Sequence, residues 1–135
     1  MFSMKQITQE WIDKAEGDFA TARRELSVQD NPNYDAVCFH TQQCIEKYLK
    51  ACLQESEVEF DKTHSLTVLL DALLSIEPNW ETMRPTLTSL TNYAVQYRYP
   101  GDSATKEEAS KAFKDCVQIL QVVKQHFTYG DSEEE

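Results

Sequence analysis

Five stretches of this sequence repeat apolar residues at steps of three and four, the spacing of a helix with one buried side, and the prolines punctuate them. The first stripe is Ile7, Trp11, Ala15, Phe19, Ala22 and Leu26, ending before Asp30-Asn31-Pro32. A second helix is expected from near Asn31-Pro32, with Asn31 as N-cap, to about Glu55. Its stripe is Tyr34, Val37/Cys38, Thr41, Cys44/Ile45, Tyr48 and Cys52. After a polar loop through Glu57, Glu59, Asp61 and Lys62, a shorter helix capped near Thr63 or Ser65 carries Leu66, Leu69, Leu70 and Leu73. Glu77-Pro78-Asn79 closes it. The fourth helix places Met83, Leu87, Leu90 and Ala94 on one side and stops at Tyr99-Pro100-Gly101. The fifth opens on the capping box Thr105-Lys106-Glu107-Glu108 and carries Ala109, Ala112/Phe113, Cys116, Ile119/Leu120, Val123 and Phe127.

No alternating strand pattern and no internal repeat lies between these segments, so the fold class is all-α, an up-and-down helical bundle of about five helices. A chain of 135 residues fits one such domain. Residues 1–128 are expected to form it, with 129–135 as an acidic disordered tail. Asp and Glu number 23 against 13 Lys and Arg, a net charge of -10, which argues against a nucleic-acid partner because the basic footprint that neutralises phosphates is missing. Neither a secretory signal nor a membrane span is read in the chain, and Cys38, Cys44, Cys52 and Cys116 form no C-x-x-C pair. The expectation is a soluble, cytoplasmic protein with reduced, buried thiols.

The second helix carries the residues of most chemical interest. Opposite its stripe, a face of Phe39, Gln43, Glu46 and Lys50 is bordered by His40, Gln42 and Lys47. A large aromatic in a polar row points to a second contact, with a neighbouring helix, another subunit or a ligand. Glu46 and Lys50, four apart, suit a pair that supports its own helix, and the second helix is read either as central in the bundle and packed on both sides or as carrying a second contact surface. Arg98 continues the row of Leu87 and Ala94 and so is expected on the apolar side of the fourth helix. There it would bond the last carbonyls, pair with Glu46, or hold a phosphate with its planar fork. No metal-site spacing, glycine-rich phosphate loop or hydrolase signature is found, and neither metal nor cofactor is expected.

Three segments together resemble the HEPN family (higher eukaryotes and prokaryotes nucleotide-binding). They are Phe39-His40-Thr41-Gln42-Gln43-Cys44-Ile45-Glu46-Lys47-Tyr48-Leu49-Lys50-Ala51, then His64-Ser65-Leu66, then Tyr93-Ala94-Val95 through Arg98-Tyr99-Pro100. The resemblance runs from about Trp11 to Phe127. It implies mainly antiparallel helices, a homodimer, and a small nucleotidyltransferase partner in a toxin–antitoxin-like pair. Many members are metal-independent ribonucleases whose site is an Arg followed four to six residues later by His. Here Tyr99, Pro100, Gly101, Asp102, Ser103, Ala104 and Thr105 follow Arg98, and that His is missing.

Without that imidazole the ribose hydroxyl has no obvious proton acceptor. The expected function is therefore a non-catalytic module that binds a nucleotide or phosphate, a minimal nucleotidyltransferase, or both. Its ligand-binding candidates are Phe39, His40, Gln42, Gln43, Glu46, Lys47, Lys50, His64, Arg98 and Tyr99. The alternatives are a degenerate ribonuclease, which needs His40 or His64 near Arg98, and a purely structural homodimeric scaffold.

Overall fold

The computed structural model describes residues 3–128, and the acidic tail at 129–135 lies outside them. Five α-helices follow in order: α1 Gln6–Leu26, α2 Tyr34–Glu55, α3 Leu66–Leu73, α4 Arg84–Gln96 and α5 Lys106–Val123. A 3-10 helix, Pro78–Met83, leads directly into α4, so Met83 ends that segment instead of opening the helix. No strand occurs among the described residues.

α1 and α2 form an antiparallel hairpin, and polar contacts mark its length. Thr8 donates to Glu55, Tyr48 to Glu16, Lys47 to Asp18, and the Asn33 amide to Glu25. α2 touches each of the other four helices. It is consequently buried on both sides, and every residue from Tyr48 to Leu53 is inaccessible or nearly so. Ile45, Leu49, Leu53, Leu69, Leu70 and Leu87 are completely buried in the centre of the bundle. All four cysteines are free and buried, and burial pushes the Cys38 thiol up to about 12.

The caps explain the helix starts. Asn33, not Asn31, is the N-cap of α2, and its Oδ1 accepts from the Ala36 amide at 3.0 Å. Asn31 instead takes a left-handed backbone with φ 55°, which asparagine tolerates. Ser65 caps α3, and Thr105 with Glu108 forms the expected capping box of α5. α4 ends at Gln96, earlier than the expected stop, and the chain then turns through Tyr99-Pro100-Gly101-Asp102 with Gly101 at φ 99°. The Ala104 amide donates to Asp35 at 2.7 Å and ties this turn back to the start of α2.

Candidate functional site

Helix α2 has neighbours on every side, and this divides the ten candidate residues into two groups. His40 and Lys47 lie toward α1, where both meet Asp18: His40 Nδ1 at 2.7 Å from Oδ1, Lys47 Nζ at 2.5 Å from Oδ2. The Asp18 side chain is 11% exposed and accepts from both. A carboxylate only accepts, so Nδ1 of His40 carries the hydrogen and Nε2 is the nitrogen left for another partner. Phe39 stands one position away, exposed, with its ring edge-on to His40 at 5.2 Å.

The Arg98 guanidinium lies over the Phe39 ring, 6.0 Å from its centroid. An open groove of about 290 Å³ runs here, lined by Asn33, Asp35, Phe39, His40, Tyr97 and Arg98. The sequence places Arg98 on the buried side of α4, and the structure corrects this: the helix ends before it and the side chain is exposed. It reaches neither the last carbonyls nor Glu46, and among the described residues it forms no ion pair. Beside it, burial and then a bond to Glu108 at 2.5 Å push the Tyr97 hydroxyl up, so that Tyr97 donates and does not ionise. Tyr99, expected as a stacking plane, is 65% exposed and outside the groove.

The second group faces α3. Glu46 and Lys50 are buried, as is Gln42, so the pair that supports the helix is an internal one. Lys50 Nζ lies 3.0 Å from Glu46 Oε2 and 5.3 Å from the centre of the Trp11 ring. Gln42 Nε2 donates to the backbone carbonyl of His64 at 3.0 Å, and Gln43 Nε2 to Gln42 Oε1 at 2.8 Å. His64 Nδ1 meets both oxygens of Glu46, at 3.1 and 3.3 Å, while its side chain as a whole is 79% exposed. These residues anchor the loop before α3 to the middle of α2. With Lys50 paired to Glu46 and Lys47 to Asp18, Arg98 is the one of the three candidate cations Lys47, Lys50 and Arg98 without an ion pair among the described residues.

Sequence reasoning missed Asp18, Asp35 and Trp11. Each sits within or beside an ordinary helical stripe, and only the packing of α1 and the α4–α5 turn against α2 reveals its role. It also missed Ser56, His126 and Glu77, where Ser56 Oγ is 3.0 Å from His126 Nε2 and Nδ1 is 2.7 Å from Glu77. That connectivity matches a hydrolase triad. It lies at the carbonyl end of α2, however, and the amides of Ser56, Glu57 and Val58 are already bonded to Cys52, Gln54 and Leu53. No donor there faces an oxyanion, and the trio instead clasps the end of α2 to the chain after α5.

A family model and one solved structure name the same family. The model described as HEPN domain matches residues 8–126. A protein of Methanocaldococcus jannaschii named "Putative toxin MJ1304" is 30% identical, with 84% of each chain covered. ST0689, described as an archaeal HEPN homologue, superposes with a TM-score of 0.66 at 28% identity, covering 92% of this chain and 99% of its own. TT1696 from Thermus thermophilus shares the fold with a TM-score of 0.70 at 22% identity, over 90% and 99% of the two chains.

Proposed function

This chain belongs to the HEPN domain family, and from that membership we propose that it acts as a non-catalytic binding module for a nucleotide or similar phosphate-bearing ligand. The observation that carries this reading is Arg98. It stands exposed over Phe39 with no ion pair among the described residues, while Lys47 and Lys50 are neutralised by Asp18 and Glu46. The guanidinium fork would hold the phosphate, the Phe39 ring would offer a stacking surface, and Asn33 and His40 Nε2 would supply polar contacts. A second copy and a minimal nucleotidyltransferase are the partners in this reading, within a toxin–antitoxin-like pair. The toxin name carried by the archaeal relative supports that setting.

Calorimetry with a panel of nucleoside mono-, di- and triphosphates tests the proposal. Wild type should bind at least one, and Arg98→Ala should lower its affinity by roughly tenfold or more, the scale of one charge-assisted contact. Absence of binding at millimolar ligand removes the nucleotide reading. A ribonuclease reading draws on a different observation, that His40 shares the groove with Arg98 and is oriented by Asp18. Incubation of the same protein with a structured RNA separates the two, because cleavage that disappears in His40→Ala would make the module an enzyme.

A further inference from the structure

A second groove, of about 750 Å³, lies between α3 and the segment 57–61. It borders the last turn of α2, whereas the Arg98 groove borders the first. At 1.5 Å per residue, their nearest lining residues on α2, His40 and Leu53, are about 20 Å apart along the helix. Three observations converge on it. Glu57-Val58-Glu59-Phe60-Asp61 alternates acidic and apolar residues, all five of which line the groove, with the acids exposed and Val58 and Phe60 partly buried against the core. The backbone N–H and C=O groups of Glu59, Phe60 and Asp61 make no hydrogen bond among the described residues, which leaves three consecutive residues with open main-chain donors and acceptors. On the facing wall, α3 lines the groove with Val68, 50% exposed, and with Ala72 one turn on, while the exposed Asp71 stands beside them on its outer side.

Charge selects what would cover it. Lys5 neutralises Glu57 at 2.6 Å, but Glu59 and Asp61 have no ion pair among the described residues. Lys62, the next residue, is exposed and lines none of the groove. The complement of this surface is an extended chain that alternates basic and apolar side chains. We propose that the groove between α3 and residues 57–61 docks an extended basic segment of a partner protein by strand addition to these open main-chain groups. Main-chain bonds would form to residues 59–61, apolar side chains would enter beside Phe60 and Val68, and cations would meet Glu59 and Asp61.

Fluorescence anisotropy with a fluorescein-labelled peptide alternating lysine and valine is the direct test, with an alternating glutamate and valine peptide as its counterpart. The lysine peptide should bind saturably and the glutamate peptide should not. Val68→Glu and Glu59→Lys alter exposed positions, so both variants should melt like wild type, yet each should weaken binding tenfold or more. Amide exchange at residues 59–61 should slow in the complex, and Arg98→Ala should bind as wild type does. The proposal is overturned by lack of saturable binding, by unaltered exchange at 59–61, or by variants that bind like wild type. The last result would assign the attraction to the net charge of -10 acting without a site.

Discussion

At the scale of single residues, the most consequential contact is the Glu46–Lys50 pair. The two side chains are 3% and 8% exposed, and Glu46 also meets Gln42, Gln43 and His64. Transfer of two charges out of water is costly, and the surrounding hydrogen bonds offset that cost only while both partners are present. Glu46→Ala should therefore destabilise the protein by about 3–5 kcal/mol, because it leaves the Lys50 ammonium buried and unpaired. Urea denaturation measures this directly, and a loss below about 1 kcal/mol would show a pair that behaves as though exposed. The i, i+4 spacing is the same for a solvated pair and a buried one, so the sequence accounts for the pair as helix support whichever side it occupies. What places it inside is the packing of Trp11 and the loop at His64 over α2.

At the scale of elements, stops and caps follow local chemistry more closely than periodicity does. The Tyr97 amide makes the last i→i−4 bond, to Tyr93, and the Arg98 amide turns to Val95 three residues back, so the last turn tightens, Gln96 is the last regular residue of α4 and Arg98 falls outside the helix. An apolar row counted through to Arg98 runs past that limit, and this is why the sequence places the side chain on the wrong side. Within α1, Gly17 lies in the helix interior, and a Cβ built there meets no atom within 4 Å. Neither packing nor backbone geometry requires glycine at that position. Gly17→Ala should stabilise the protein by about 0.5–1 kcal/mol through lower chain entropy in the unfolded state, read as a higher melting temperature. A lower one would mean that α1 needs a local deformation at Gly17.

At the scale of the whole molecule, several carboxylates join parts of the bundle and share one direction of pH response. Glu108 is held below the usual 4.5, first by the Tyr97 hydroxyl and then by the Thr105 amide. A bond from Lys5 lowers Glu57, and Arg84 lowers Glu81. A folded value below the unfolded one means that the native state binds fewer protons. The stability each group contributes is present above its unfolded value and lost as pH falls through the folded one. The melting temperature should therefore decline between about pH 5 and pH 2, and Glu108→Gln should make that decline shallower. These groups are exposed, so each effect is small and the sum is what a pH series of thermal melts detects. An unchanged slope in Glu108→Gln would remove the capping carboxylate as a source of acid sensitivity.

The five helices, the caps of α3 and α5, and the family follow from the sequence by itself, because periodicity, capping residues and the run from Phe39 to Ala51 are local properties of the chain. Which polar residues of that run are buried is not local. Glu46, Lys50 and Gln42 become internal because α2 is covered on both sides, while Phe39 stays exposed and meets Arg98 only through the turn after α4. The pairing of His40 and Lys47 with Asp18 likewise depends on how α1 lies against α2. Among the candidate cations Lys47, Lys50 and Arg98, tertiary packing decided which are neutralised and which remains without an ion pair among the described residues, since that depends on residues distant in sequence arriving at the same place.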